Sequence, residues 1–398
     1  MNRRNFSKLL AVAAGAAGQT PAQGADAPRD AGANNAAPAA DQQPREPVNV
    51  EDFQELAKAT LPPPIYSYIT TGSTDEITMR DNVLAFQRLR ILPPLLTGVP
   101  AADTATTVLK EKISMPILLA PVAAQSLFHP EGILAAARAA KSAGTIMGVS
   151  SSGGNSVEEV AEASSGPKWF QLYMPKDRAV ARRVIERADR AGFKAIVLTV
   201  DLGERKDNDR RTGFKLPPKV LRKRLIDVGF SVSDRMTDAE VAAFNEKAWD
   251  LAMSWEVFDW LRSITKLPLL IKGVLRPDDA KKAVAIGLDG IVVSNHGGRR
   301  LDGMPPSIEQ LPQIVQAVNG KAEIFLDSGI RRGTDVLKAI ALGARAVLIG
   351  RPYAWALAAR GEAGVARVLE LLHEEFVLAM LATGCANVGA IHRSLVAP

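Results

Sequence analysis

One cysteine, Cys385, stands among 398 residues, so no disulfide can form within the chain and a cysteine-rich metal site is excluded. Histidines number four, and neither they nor the carboxylates show a ligand spacing such as HExxH, so no metal is expected. The GxGxxG fingerprint of nicotinamide binding is missing. No run of about 18 uncharged apolar residues occurs, which argues against a conventional transmembrane helix. Acidic residues fall only slightly short of basic ones, 43 against 49, and a net charge of +6 is mild for this length. Basic stretches also lack interleaved aromatics for base stacking, so nucleic acid is not an expected partner. What is present is ordinary for a globular protein: 47% hydrophobic and 23% charged residues. The length allows two or three domains at roughly 150 residues each, or one large barrel.

The first residues differ from the rest. MNRRNFSKLLAVAAGAAG places Arg3, Arg4, Phe6 and Lys8 before a short, weakly apolar Ala/Leu stretch. That arrangement fits an export signal of the twin-arginine kind, which carries proteins already folded. Gln19 to Val48 is rich in Ala, Pro, Gln, Asn and Gly and lacks apolar periodicity. Such a segment buries too little surface to offset its ordering entropy. Residues 1–47 are therefore expected to be signal and disordered leader, and 48–398 the folded domain, opening near Val50 with the helical spacing of EDFQELAKATL.

Eight short apolar runs follow, alternating with longer amphipathic segments. They are Met115–Ala120, Thr145–Ser150, Lys168–Tyr173, Lys194–Val200, Leu267–Lys272, Gly290–Ser294, Glu323–Asp327 and Ala346–Ile349. Continuous apolar runs suit parallel strands buried on both faces. Eight alternating units predict an α/β fold, a closed (β/α)8 TIM barrel with an N-terminal helical extension, over an open doubly wound sheet. The rhythm breaks once, at about 202–253, where a long basic insertion after strand four is expected to form a lid on the face bearing strand C-termini.

Candidate chemistry collects at those strand ends. DSGIRRG after strand seven and GRP after strand eight combine glycines, arginines and helix starts, which makes a phosphate cradle. Lys272 is either a snorkelling rim residue or a fixed cation, and a flavin that becomes anionic on reduction would partner a buried lysine. Gln171 and Thr199 either hydrogen-bond a ring's polar edge or are ordinary buried polar residues. Of the histidines, His129 caps or orients a loop, His373 sits in a helical pattern and His392 lies near the tail. Only His296 follows a barrel strand among glycines, which makes it the candidate general base. Asp201, ending another strand, is its natural carboxylate partner, and Arg299 is placed to bind a substrate carboxylate.

SNHGGRRLD, preceded by LIKGV and followed by LDSGIRRGTDVLKAIALGA and IGRP, resembles the FMN-dependent 2-hydroxy-acid oxidase and dehydrogenase family. The similarity runs over about 50–396 and includes APVAAQ, HPEG, GTIMGVSS, WFQLY and LTVD. The resemblance implies a TIM barrel and FMN as cofactor. It implies that His296 is the catalytic base paired with Asp201, and that Arg299, Tyr68 and Tyr173 bind the carboxylate. Lys272 would contact the flavin; Ala123, Ser150, Gln171, Thr199 and Ser294 would line its ring or ribityl chain. Asp327, Gly329, Arg331, Gly350 and Arg351 would hold ribityl and phosphate. Two departures stand out. The family's second carboxylate-binding arginine falls on Arg205 by its G-x-R spacing, whereas counting back from Asp209 puts Lys206 there. Beyond Ser151 the chain reads Ser152-Gly153-Gly154, where glycolate oxidase has a bulky aromatic, so substrate size does not transfer from that relative.

The expected activity is oxidation of an L-2-hydroxy acid, first L-lactate, to the 2-oxo acid by hydride transfer to flavin N5, with oxygen, a quinone or a cytochrome as acceptor. Rivals are another FMN-barrel activity of the isomerase kind and a non-catalytic exported binding protein. A folded-protein export route suits an enzyme that takes up FMN before leaving, so a periplasmic location is expected. The basic insertion admits peripheral membrane contact, and relatives point to a homotetramer.

Overall fold

The computed structural model describes residues 46–201, 203 and 207–397. The expected signal and leader, with Arg3 and Arg4, lie outside the described residues, as do Arg205 and Lys206. The folded unit runs over Pro47–Pro398. It opens with helix α1 (Val50–Thr60), started by a reciprocal capping box: Asn49 Oδ1 accepts from Asp52 N at 2.9 Å while Asp52 accepts from Asn49 N. Helices α2 (Pro63–Thr70) and α3 (Ile77–Arg88) complete the N-terminal extension.

Eight parallel strands close into a barrel in chain order, β1 (Ile117–Leu119), β2 (Met147–Ser150), β3 (Lys168–Leu172), β4 (Ala195–Thr199), β5 (Leu269–Val274), β6 (Gly290–Val293), β7 (Glu323–Asp327) and β8 (Ala346–Ile349). Each pairs with the next, and β8 returns to β1. Strand side chains alternate between faces, and both faces are buried, each in its own apolar layer. Ile196, Leu198, Ile271, Ile291, Val293 and Leu326 point outward and pack with the helices as one apolar layer. Ala195, Val197, Leu270, Val292, Phe325 and Leu348 point inward as a second. Within the second, Trp169 meets Phe325 edge-on with centroids 5.1 Å apart. A hairpin, Thr106–Val108 with Glu111–Ile113, adds Val108 and Ile113 to this interior. Leu109 N donates to the Glu323 carboxylate at the start of β7, so the hairpin seals the N-terminal end of the barrel.

Strand lengths differ from expectation by a few residues, and one difference matters. Lys272 is not the end of its strand: β5 runs on to Val274, with an irregularity between Lys272 and Val274 where it pairs β6. Gly273 sits in this bulge at φ +115°, a conformation that L side chains rarely adopt.

The long insertion is helical: α4 (Asp207–Thr212), α5 (Pro218–Val228) and α6 (Asp238–Ala248) precede the crossover helix α7 (Glu256–Ile264). Its far end is tied to the end of β3 by Lys176 N to Ala248 O and Asp250 N to Met174 O, each 2.8 Å. Arg178 adds an ion pair to Asp250 at 2.6 Å.

A Cβ on residue 273 would fall 2.8 Å from Asp201 Cβ. Gly273→Ala is expected to cost about 1–3 kcal/mol, read as a lowered urea midpoint; a parental midpoint would mean the bulge is not constrained.

Candidate active site

The inward alternation that fills the lower barrel with apolar side chains puts polar ones at its upper end. Two residues beyond inward Trp169 comes Gln171, beyond Val197 come Thr199 and then Asp201, beyond Leu270 comes Lys272, beyond Val292 comes Ser294, and beyond Phe325 comes Asp327. Ladder register sets Ser150 beside Gln171 and Thr199 beside Lys272. One cavity of about 480 Å³ opens there, lined among others by Tyr68, Tyr173, Lys272, His296, Arg299 and Arg300.

Lys272 is buried, and its Nζ contacts Asp327 Oδ2 at 2.9 Å and Ser294 Oγ at 2.8 Å. It is a fixed cation, not a snorkelling one. Burial alone would lower its pKa, but Asp327 and Asp201 outweigh that and hold it above the usual lysine value.

His296 follows β6 in a left-handed turn, with φ of 58° at His296, 65° at Gly297 and 71° at Gly298. Positive φ favours glycine at both positions, and close approach of backbone adds to it at Gly298. A Cβ on 297 would meet Arg351 Nη1 at 2.6 Å, and one on 298 would meet Met79 N at 2.6 Å. The turn carries the imidazole to Asp201: Nδ1 lies 2.9 and 3.0 Å from the two carboxylate oxygens. Burial pushes Asp201 up, yet His296, Lys272 and Arg300 together keep it below the usual carboxylate range and ionised. His296 itself drops to about 4, through burial first and then the charges of Arg300 and Lys272, against the opposing pull of Asp201. A neutral imidazole whose Nδ1–H donates to Asp201 keeps an Nε2 lone pair for a proton.

Two further polar residues of the SNHGGRRLD segment, Asn295 and Asp302, are structural. Asn295 and Asn82 pair through their amides at 2.7 and 2.9 Å. Asp302 accepts from Thr74 Oγ1 and from the backbone N–H groups of Ile77 and Thr78, serving as the cap of α3 from a distant part of the chain. Although burial opposes it, these donors hold Asp302 at about 2.

Tyr68 comes from α2, and Arg299 lies over its ring at 5.2 Å. Arg299 Nη1 also donates to the carbonyls of Tyr68 and Thr71 at 2.8 and 3.0 Å. The insertion reaches both tyrosines: Phe214 stacks on Tyr68 with centroids 4.6 Å apart, and Trp249 meets Tyr173 edge-on at 6.5 Å. Residues that sequence reasoning did not single out are Phe214, Trp249, Ser328 and Arg300. Arg300 donates to Tyr173 Oη at 2.9 Å. Its only signal in the sequence is a second arginine beside Arg299.

Of the sequence-predicted site residues, Tyr68, Ala123, Tyr173, Lys272, His296, Arg299, Asp327, Gly329, Arg331, Gly350 and Arg351 line the cavity. Asp201 reaches it through His296, Ser294 and Thr199 lie beside Lys272, and Ser150 pairs with Gln171. These surroundings fit a flavin phosphate. Gln171 Nε2, Thr199 Oγ1 and Ser152 Oγ are buried without a hydrogen-bond partner, while Gln171 Oε1 is held by Ser150 Oγ at 2.8 Å. Such orphaned groups call for a polar ligand. Arg351 donates to the carbonyls of Thr70, Thr71 and Gly297. Burial, then Arg299 and Arg331, push its pKa well below the ordinary arginine value. Arg331 is lowered by burial as well. Three crowded guanidinium groups favour an anion between them. Gly329, at φ +94°, passes so near α3 that a Cβ would lie 2.3 Å from Asn82 O. A Cβ at Gly350 would make only ordinary contacts, with Ala120 Cβ at 3.9 Å and Val122 Cγ2 at 4.0 Å, and Ala123 lines the same cavity. No cluster of His, Cys, Asp and Glu suited to a metal occurs among the described residues.

The family model for FMN-dependent dehydrogenases matches residues 57–398. The chain is 49% identical to human 2-hydroxyacid oxidase 1 over 358 residues, covering 88% of this chain and 96% of that one. It is 46% identical to glycolate oxidase of Spinacia oleracea over 353 residues, covering 88% and 95%, and 45% identical to L-lactate oxidase of a Nostoc species over 358, covering 88% and 98%. A crystal structure of mandelate oxidase superposes with a TM-score of 0.79 at 41% identity, covering 88% of this chain and 98% of that one. The chain therefore belongs to the FMN-dependent dehydrogenase family, as an FMN-dependent (S)-2-hydroxy-acid oxidase or dehydrogenase, and FMN is its cofactor.

Lys272→Met should leave Asp327 buried without its cation. The expected loss is about 3–5 kcal/mol, together with weakened flavin retention. Equilibrium unfolding followed by fluorescence, with the flavin absorbance of the purified protein, checks both.

Proposed function

We propose that the substrate is L-lactate or a close L-2-hydroxy acid, that His296 is the base, and that the product is the 2-oxo acid. The observation that carries this reading is the His296–Asp201 pair, 2.9 Å apart, at the mouth of a barrel with a buried lysine and three arginines. Tyr68, Tyr173 and Arg299 hold the carboxylate, with Arg205, outside the described residues, assigned the second guanidinium role. His296 Nε2 takes the hydroxyl proton, and ionised Asp201 stabilises the imidazolium that results. FMN, when bound, supplies the acceptor for the C2 hydrogen and its electron pair at N5. Lys272, held by Asp327, provides fixed positive charge beside it.

Ser152 favours a second reading. This small residue lines the cavity with an unpartnered buried hydroxyl, which leaves room for a larger substituent at C2. Similarity to both L-lactate oxidase and mandelate oxidase supports testing the two sizes together. A steady-state panel of L-lactate, glycolate and (S)-mandelate against oxygen and artificial acceptors should give L-lactate the highest kcat/KM; a preference for mandelate would transfer the assignment to the larger acid.

We further propose export by the twin-arginine route to the periplasm, supported by Arg3, Arg4, Phe6 and Lys8. The proposed acceptor is oxygen, a quinone or a cytochrome, and the proposed assembly is a tetramer. Replacing Arg3 and Arg4 by lysine should retain the protein in the cytoplasm on cell fractionation; parental fractionation would discard the route.

His296→Gln should keep bound yellow flavin and lower kcat/KM by roughly 10²–10⁴; retained turnover would remove the assignment. Because the folded imidazole titrates at about 4 rather than at its ordinary 6.5, the acid limb of the kcat/KM profile is expected below pH 6.5. The sign for stability is the same. The unfolded chain binds the proton first, so His296 costs stability as pH falls from 6.5 towards 4, a loss absent in His296→Gln.

A further inference from the structure

Arg300 stands among the reacting groups without a part in the reaction described above. Its Nη2 donates to Tyr173 Oη at 2.9 Å, and its guanidinium lies 5.5 Å from the centre of that ring. Its Nε comes to 3.4 Å from His296 Nδ1. Since Nδ1 carries the proton shared with ionised Asp201, this last contact is a charge beside a dipole and not a hydrogen bond. Arg299, by contrast, directs Nη1 to two backbone carbonyls.

A guanidinium has donors only. The Tyr173 oxygen must therefore accept from Arg300, and its own O–H proton is turned to another acceptor. Tyr173 lines the cavity with His296, where the acceptor at hand in turnover is an oxygen of the bound acid.

We propose that Arg300 is a positioning residue for 2-hydroxy-acid oxidation: by donating to Tyr173 it commits that phenol to donate to the anionic substrate. The inference rests on the reading of His296 as base and Tyr173 as a substrate ligand. Arg300 has a second effect through charge. The groups that act on His296 are Asp201 beyond β4, Lys272 of β5 and Arg300 from its own loop, with Lys272 in turn paired to Asp327 of β7. Arg300 and Lys272 disfavour the imidazolium and Asp201 favours it, so Arg300 helps to keep the imidazole in its base form. Lysine cannot replace it fully, because a point charge on a flexible stem lacks the planar guanidinium that aims its donor at Tyr173 Oη.

The test uses the flavin-loaded enzyme with Arg300→Gln, Arg300→Lys, Tyr173→Phe and the double variant Arg300→Gln/Tyr173→Phe. Arg300→Gln is expected to lower kcat/KM by at least about tenfold, to weaken binding of the product-like acid pyruvate as read from flavin absorbance, and to move the acid limb to higher pH. Arg300→Lys should restore the limb but not the full kcat/KM. The double variant should be little worse than Tyr173→Phe, since both changes remove one contact. Parental kcat/KM and acid limb in Arg300→Gln, or penalties that multiply independently in the double variant, would overturn the proposal. Should Arg300→Gln not retain flavin, the same cycle with Arg300→Lys decides, and independent penalties there overturn it equally. His296→Gln separates the two readings: turnover in that variant defeats the base assignment, whereas a silent Arg300→Gln beside an inactive His296→Gln defeats only the role of Arg300.

Discussion

A lysine shut away from water must have anionic company, and the upper barrel is arranged around that requirement. Lys272 takes Asp327 as its direct partner and Ser294 as a hydrogen-bond acceptor, and it feels Asp201 as well. Asp201 in turn holds His296. Two carboxylates, one lysine, one neutral imidazole and Arg300 therefore form a connected electrostatic group, in which the charge of each member sets the protonation of the next. Beside it Arg299 and Arg331 press on buried Arg351 more than Glu76 relieves it, and burial raises the cost of that crowding. One side of the cavity is close to balanced and the other is positive. A flavin phosphate answers that asymmetry, because its anionic end belongs with the arginines and its ring with the lysine.

Barrel strands supply the electrostatic group, but they do not supply everything. Tyr68 comes from α2, and α3 packs under the phosphate-side loop so closely that only glycine fits at position 329. Phe214 and Trp249 come from the insertion and set the faces of the two tyrosines. The site is thus held between rigid strand ends and two peripheral segments.

Much of this was readable from the chain itself. Continuous apolar runs marked all eight strands, because a strand covered on both faces cannot hide its composition. His296, Asp201 and the arginines of the phosphate loops were legible because glycines mark places where backbone must approach a ligand. Three things were not. The continuation of β5 past Lys272 depends on a bulge at Gly273, and a glycine inside an apolar run looks the same whether it ends a strand or bends it. Asp302 looks like a site carboxylate but caps a helix more than two hundred residues earlier, a contact that no local pattern reveals. Arg300 differs from Arg299 only by the direction in which a left-handed turn releases it, and direction is a property of backbone angles, not of residue type.

Helix α3 has a wider consequence. Its start is capped by Asp302, its middle pairs with Asn295 and touches Gly329, and its end accepts from Lys338 through the Phe86 carbonyl at 2.7 Å. A short helix outside the sheet thus serves as the jig on which the His296 loop and the Gly329 loop are set to each other. The barrel is consequently not a transferable cassette. Grafting its eight strands and their loops onto another (β/α)8 host would move the reactive side chains without the piece that spaces them, and the recipient would inherit the functional groups but not their alignment.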